Sequence, residues 1–414
     1  MTIAILGGGA SGMMAALTAA RSGKHDVLLI ERQARLGRKL LSTGNGRCNL
    51  SNTHASSACY HGTDAAFCTY ALQAFGAKET LEFFESMGLV TVTEPSGRVY
   101  PYSNQANSVL DVLRFSLELP NLQIYTGCEV KRIRKRDGGY LVKTDEGDVF
   151  CDRVIVACGG MASAKLGGTD IGYRLLESLG HKRTTLCPAL VPLVTEDHFT
   201  KSLKGVRAQA RIKLCREDDA HTVLAESQGE VQFTELGISG PAIFEISRAA
   251  SVGKAGTKIL LDLLPQMQES DLTALLRRKC STFPDLTAEN LLTGILHNRL
   301  GRMVIKNAGV SNAEMLSALT EEQLESIAQT VKCLTLVYAS TQGMEHAQVT
   351  AGGIKTEDFD PQTMESRIAP GIYACGEVLD IDGDCGGLNL QWAWSSGHLA
   401  GLCAANEAET AEHA

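Results

Sequence analysis

Gly7-Gly8-Gly9-Ala10-Ser11-Gly12 sets glycines in the order Gly-x-Gly-x-x-Gly, directly after an apolar run, Thr2 to Leu6, and before a helix-forming stretch, Met13 to Arg21. That order can cradle two linked phosphates. Gly7 permits a tight turn, Gly9 lets backbone approach a pyrophosphate, and Gly12 lets the helix pack closely on the strand. The helix start adds unpaired N–H groups and a positive dipole end, and Gly23 can close the helix in a left-handed conformation. Val27 to Ile30 is a second apolar run ended by Glu31, nineteen positions beyond Gly12 and followed by Arg32. A carboxylate there can accept both hydroxyls of a ribose, and an acid disfavours a 2′-phosphate. FAD and NAD are the dinucleotides this unit leaves open.

Residues far along the chain favour FAD. Val154-Ile155-Val156-Ala157 reads as a strand breaking at Cys158-Gly159-Gly160, and Gly371 to Glu377 reads as another ending in Gly376-Glu377. A late strand that rejoins the first sheet suits a ribityl chain, because small residues admit close backbone contact. Asp384 to Gln391, with Gly386, Gly387, Asn389, Leu390 and Gln391, leads into a helical segment, Trp392 to Leu402. Its N-terminus can lie against the pyrimidine edge of a flavin. The simpler reading is a C-terminal helix with Asn389 as N-cap, and both can hold. Between these ends, Gly37 to Asn49 gathers Lys39, Leu40, Asn45, Gly46, Arg47, Cys48 and Asn49 in one loop that no periodicity explains. It suits an anionic ligand better than a core, the alternative being a solvated surface turn.

Catalytic acids and bases are not legible. Tyr100, Tyr102, His181 and His398 are possible proton donors, each also readable as structural, and Cys48 reads as a buried inert thiol. Flavin chemistry needs orientation, electrostatics and exclusion of water more than a triad. A second Gly-x-Gly-x-x-Gly with strand, helix and acid is absent, so a nicotinamide would bind transiently over the flavin. Phe233 to Ala242 reads either as a lid or part of the substrate wall, or as a capped helix with Ser239 as N-cap and Pro241 near N1. Gly97 to Ser103 precedes an amphipathic helix containing Val109, Val112 and Leu113.

These elements sit in a chain of 414 residues, long enough for two or three domains. Its 39 basic against 47 acidic residues give a net charge of −8, which argues against a nucleic-acid partner. The basic run Lys131 to Arg136 reads as a solvated strand end. None of the thirteen cysteines forms a Cys-x-x-Cys, the nearest pair being Cys151 and Cys158, so a zinc ribbon or dithiol redox centre is not expected and no metal is. A leader and a run of about 18 apolar residues are both missing, which implies a cytoplasmic protein with reduced thiols and no membrane partner.

Taken together, several motifs resemble the BaiN- and aminoacetone-oxidase-like family of bacterial FAD-dependent flavoproteins, also termed YhiN-like. They are the Gly7 fingerprint, Thr43 to Asn49, Phe233 to Ala242, Ala351-Gly352-Gly353-Ile354, Thr363 to Ser366, Gly376 to Asp380 and Gly386 to Trp394. The resemblance implies an α/β fold: a Rossmann-like FAD-binding domain of the two-dinucleotide-binding-domain type, with inserted β-barrel-like and helical domains. The FAD domain would span 1–190 and 345–414, the barrel 191–268 and 332–344, and the helical insertion 269–331. Strands are expected over Val206 to Arg216, Thr222 to Glu226, Glu230 to Phe233, Lys258 to Leu263 and Lys332 to Ser340. By the same resemblance Glu31, Lys39, Arg47, Asn49, Val130, Gly376, Glu377, Asn389 and Leu390 lie on or near FAD, Val130 beside the adenine. Ala157, Gly159 and Asp380 join the expected cofactor set. Cys158 replaces a common Thr, Leu388 a common Tyr, and Thr43-Gly44-Asn45 a Ser-Gly-Gly, changes that should leave binding intact.

The family offers two precedents, amine oxidation with reduction of O2 and nicotinamide-linked reduction of steroid double bonds. The expected activity is hydride transfer between flavin and a small organic or steroid-like substrate, with NAD(P)H or O2 as redox partner. A flavin-based redox sensor or assembly protein without significant turnover is the alternative, with Cys158 and Cys375 at strand ends near FAD. Flavin-linked RNA modification is opposed by the acidic charge. The oligomeric state is not legible.

Overall fold

A computed structural model describes residues 1–216, 218–219, 222–253 and 257–406. It divides into two compact units, Met1–Cys187 with the chain from Gln348 onward, and Pro188–Ala347.

In the first unit β1 (Thr2–Leu6) runs straight into α1 (Ala10–Ala20) and then β2 (Asp26–Glu31). Ile3, Ala4, Ile5 and Leu6 are fully buried, as an all-apolar central strand covered on both faces must be. Small antiparallel strands follow: β3 (Ser51–Asn52), β4 (Thr91–Thr93) and β5 (Arg98–Pro101) form a sheet in the order β3-β5-β4. Next come α2 (Ala106–Ser116), β6 (Leu122–Thr126) and a meander of β7 (Val130–Arg136), β8 (Gly139–Thr144) and β9 (Asp148–Cys151). The basic run expected as a strand end is the body of β7, pairing with β8 while five cations face solvent. The chain then enters β10 (Arg153–Val156) and α3 (Ile171–Glu177).

The second unit is built on a closed antiparallel barrel of β11 (Leu193–Thr195), β12 (Arg207–Arg216), β13 (Val223–Phe233), β14 (Gly237–Ser239), β15 (Thr257–Asp262) and β16 (Leu334–Thr341), in the order β11-β14-β13-β12-β15-β16. Where the sequence suggested two strands between Thr222 and Phe233 there is one. Ser227-Gln228-Gly229 looks like a break, yet each of the three pairs with β12, so tertiary pairing overrides local propensity. Helix α4 (Pro241–Gly253) starts at Pro241 directly after Gly240, and Ser239 ends β14, so Ser239 is not the N-cap. Helices α5 (Glu269–Thr282), α6 (Asn298–Asn307) and α7 (Glu321–Lys332) share one buried cluster with the strands, joining Leu276, Leu300 and Val304 to Ile212 and Leu261.

Returning to the first unit, β17 (Ile372–Ala374) completes a five-stranded parallel sheet, β17-β10-β1-β2-β6, and α8 (Leu388–Ala405) packs along α1. Glycine sets the spacing of these helices. A Cβ on Gly397 would stand 2.4 Å from the Ser11 carbonyl oxygen, and one on Gly401 2.4 Å from that of Ala15. Fully buried Met13, Met14 and Leu17 on α1 each contribute about 1.5–3 kcal/mol from burial.

Candidate functional site

The glycine turn joins the carboxyl end of β1 to α1. Gly7 has φ +110°, and a Cβ there would meet the Ala157 carbonyl oxygen at 2.5 Å, while one on Gly12 would meet the Gly7 carbonyl oxygen at 1.8 Å. Gly9 faces open space, and as N-cap of α1 it leaves the helix start without a side-chain cap. Uncapped N–H groups with room before them are the makings of an anion site. Glu31 ends β2 with its Oε2 accepting from Gly8 N at 2.7 Å and its Oε1 from Gln33 N at 2.7 Å, which fixes the carboxylate at the turn. Beside it a small open cleft is lined by Gly7, Glu31, Arg32, Val130, Cys158 and Ile171 among others. Arg32 donates to the Gly167 carbonyl at 2.9 Å.

Further along, the Lys39 ammonium pairs with Glu377 at 2.9 Å, and the other Glu377 oxygen accepts from Thr350 N at 2.8 Å. Lys39, expected on an anionic ligand, is thereby tied to the β17 loop. Gly376 adopts φ +76°, donates to the Ser396 hydroxyl at 2.9 Å and accepts from Trp392 Nε1 at 3.1 Å. Ser11 lies where a Gly376 Cβ would go, at 2.5 Å, so the first turn of α1 and the returning strand meet.

The loop from Gly37 to Asn49 is built on left-handed residues, Gly44, Asn45, Gly46 and Cys48 among them, with Leu40 buried beneath. Gly46 and Gly159 both open onto free space. Arg47 stacks over the Tyr100 ring at 4.0 Å and pairs with Glu94 at 3.1 Å. Asn49 Oδ1 is buried with no hydrogen-bond partner and stands 2.7 Å from where a Gly387 Cβ would be. Gly387, at φ +95°, is the N-cap of α8 and carries no side-chain cap. Asn389 is therefore not the N-cap: it lies inside the first turn, holding Gly383 N at 2.9 Å and Gly383 O at 2.7 Å. Leu390 is half-buried in that turn. Asp380 and Gln391 are buried and engaged by the protein itself, Asp380 accepting from the Thr63 hydroxyl at 2.6 Å and Gln391 donating to Thr80 at 2.9 Å.

An open glycine turn, a fixed acid, a second uncapped helix start and an orphaned amide oxygen suit a long dinucleotide with a polar ring. The residues present fit FAD on this ground. Thr350, which binds Ala162 N at 3.0 Å, and Arg98, whose guanidinium lies by Gly386, belong to the same region. Arg98 lies in the Gly97 to Ser103 segment and Thr350 just before Ala351-Gly352-Gly353, but neither was expected at the site; the fold brings them there.

Burial governs the nucleophiles. It pushes the thiols of Cys48, Cys158 and Cys375 up to about 12, so all three stay protonated near neutrality. The Cys158 thiol packs inward, donating to the Leu6 carbonyl at 3.3 Å. Among the proposed donors, Tyr102 is 75% exposed. His181 stacks on Phe359, and His398 stacks on Phe75 and is pushed down to about 4 by burial, both serving the core. Among the described residues no acidic, histidine or cysteine cluster could hold a metal ion, and no helix is long and apolar enough to cross a membrane.

A family model described as the HI0933-like protein Rossmann domain matches residues 1–403. The chain is 41% identical to the 3-dehydro-bile acid delta(4,6)-reductase of Clostridium scindens over 407 residues, covering 97% of this chain and 98% of that protein. It is 29% identical to the ribosomal RNA dihydrouridine synthase of Escherichia coli, over 95% of each chain. Among solved structures, the open form of a flavocytochrome c3 fumarate reductase aligns with 98% of this chain and 78% of its own, at TM-score 0.48 and 15% identity.

Proposed function

This chain belongs to the HI0933-like Rossmann-domain family, and from that premise we propose that it is an FAD-dependent oxidoreductase reducing a conjugated double bond in a steroid-like substrate, with a nicotinamide as electron donor. The observation that carries the reading is the dinucleotide site assembled from both ends of a chain 41% identical, along nearly its whole length, to a bile-acid reductase. Bound FAD would supply hydride exchange at its ring.

The chain's own residues bind and orient. Glu31, fixed by Gly8 and Gln33, is placed to accept ribose hydroxyls, and the open start of α1 to receive phosphates. The start of α8 supplies a dipole that favours negative charge beside it, and the unpartnered Asn49 Oδ1 is placed to accept from a ring N–H. Lys39 and Glu377 hold the loop and the returning strand together. The sequence carries one Gly-x-Gly-x-x-Gly fingerprint with strand, helix and acid, so a nicotinamide donor would bind transiently over the flavin.

Anaerobic stopped-flow absorbance with NADH, NADPH and aminoacetone tests this. Rapid bleaching by a nicotinamide, with reoxidation by a steroid enone, is expected. Bleaching by the amine alone, with peroxide on admitting oxygen, would make the protein an oxidase, and a preparation unable to hold FAD would end the proposal.

A second reading is supported by β7, where Lys131, Arg132, Arg134, Lys135 and Arg136 are all exposed on an otherwise acidic chain, and by the dihydrouridine synthase relative. A surface of that kind could meet an RNA backbone while the same flavin site reduced a base. RNA retention whose logarithm falls linearly with the logarithm of salt, and which weakens on Arg134→Glu, would favour it.

A further inference from the structure

We infer that Arg98 and the Tyr100 hydroxyl form a receptor for a carboxylate on the substrate, an assignment that rests on the redox reading above and names its substrate class. The two residues stand two apart in β5, so their side chains leave the same face of the small sheet. Asn52 is paired opposite Arg98, and its Nδ2 anchors the turn before α8 by donating to the Gly386 carbonyl at 2.9 Å. The Arg98 guanidinium is half-buried against that turn. A Cβ on Gly386 would lie 3.2 Å from its Nε and 3.8 Å from its Nη2. Among the described residues nothing accepts a hydrogen bond from Arg98 and no carboxylate pairs with it. Arg47 next door is, by contrast, engaged by Glu94, Asn104 and the Tyr100 ring.

Tyr100 is only 6% exposed, yet its hydroxyl also makes no hydrogen bond among the described residues. Burial and Glu94 hold the phenol protonated, and therefore a donor. A half-buried guanidinium without an anion is costly to keep, and a planar carboxylate matches its paired N–H groups. With Arg47 neutralised by Glu94, one surplus positive charge remains, which suits a monoanion better than a phosphate dianion. The same face continues as apolar surface. Val92 pairs opposite Tyr100, and the Val90 carbonyl accepts from Tyr102 N at 2.8 Å. Val90, Val92 and Tyr102 are 65%, 43% and 75% exposed, a wall for the apolar body of an amphipathic acid.

The test uses the FAD-loaded protein, a 3-oxo-4-ene steroid carrying a side-chain carboxylic acid, its methyl ester and its phosphate-ester analogue. Binding is read from the perturbed flavin absorbance, and turnover as kcat/KM. The wild type should prefer the acid to the ester, and Arg98→Gln should lower that preference by about tenfold or more. Tyr100→Phe should lower it by a smaller factor, and both variants should keep their flavin spectrum. If Arg98→Gln does not fold, the wild-type acid-to-ester ratio and its decline with added salt decide the matter. Equal binding of acid and ester, tighter binding of the phosphate ester, or perturbation by a uridine oligonucleotide alone would each overturn the inference. Nicotinamide bleaching without acid preference leaves the oxidoreductase standing and removes only the receptor. Acid-dependent perturbation without bleaching does the reverse.

Discussion

Glu31 holds two backbone N–H groups at once, so it shapes the turn as well as facing the cleft. Replacing it with Ala should weaken FAD binding about 10- to 100-fold, measured by quenching of FAD fluorescence on titration, and an unchanged affinity would take Glu31 out of the ribose contact. The thiols make a second prediction. Cys48, Cys158 and Cys375, pushed up to about 12, should resist iodoacetamide at pH 7.5 in the folded protein while exposed Cys333 reacts, as mass mapping would report. Rapid labelling of Cys158 or Cys375 would instead favour a thiol-based redox sensor. His398 carries a pH signature. Burial lowers its pKa from 6.5 to about 4, so the unfolded ring takes up a proton that the folded ring refuses, and stability falls as pH drops from about 6.5 to about 4. His398→Phe, which retains the stack on Phe75, should flatten the fall of the urea midpoint across that window; an unaltered slope would assign the acid sensitivity elsewhere. Glycines 7, 9 and 12 were legible because backbone geometry dictates their type. The surroundings of Arg98 and Thr350 were not, since Gly386 stands by the one and Ala162 by the other only through the fold.

Between elements, the tightest constraint is the contact of α1 with α8, where small residues let the backbones approach. Gly401→Ala would drive a methyl group toward the Ala15 carbonyl. It should cost about 1–3 kcal/mol, seen as a lower denaturation midpoint, and should loosen FAD because Ser11 and Gly376 share that seam. A variant as stable as the parent would mean that the helices can separate freely. The apolar strands β1, β2, β10 and β17 were readable from their composition, since a parallel strand buried on both faces has almost no polar choice. Helix caps were less so. Asn389 and Ser239 have the chemistry of N-caps, but glycines at 387 and 240 take the bend, Gly387 at φ +95° and Gly240 at φ +111°, and the side chains find other work. The merged β13 was hidden for a related reason, its polar middle being sustained by pairing with β12 rather than by its own residues.

For the molecule as a whole, the proposed cofactor site belongs to one unit whose sequence is interrupted by another. Because FAD would bind the folded state alone, it should raise the melting temperature with ligand concentration, by an amount equivalent to about 2.7 kcal/mol at a hundredfold excess over Kd. A melting curve indifferent to FAD between 1 and 100 times Kd would contradict that linkage. The family resemblance reached the parallel sheet and its Rossmann character from motifs scattered along the chain, whereas the face of β5 proposed to meet a substrate waited on the fold. Interruption also has a consequence for how the protein is made. Residues 188–347, with their barrel and buried cluster, are translated before Ile372–Ala374 and Leu388–Ala405. During that interval β10 lacks its outer neighbour and α1 its partner helix, so the glycine turn made first is among the last parts of the protein to be completed. Acquisition of FAD at the proposed site would then await α8, and a chain ended at residue 380 is expected to lack the yellow colour of bound flavin.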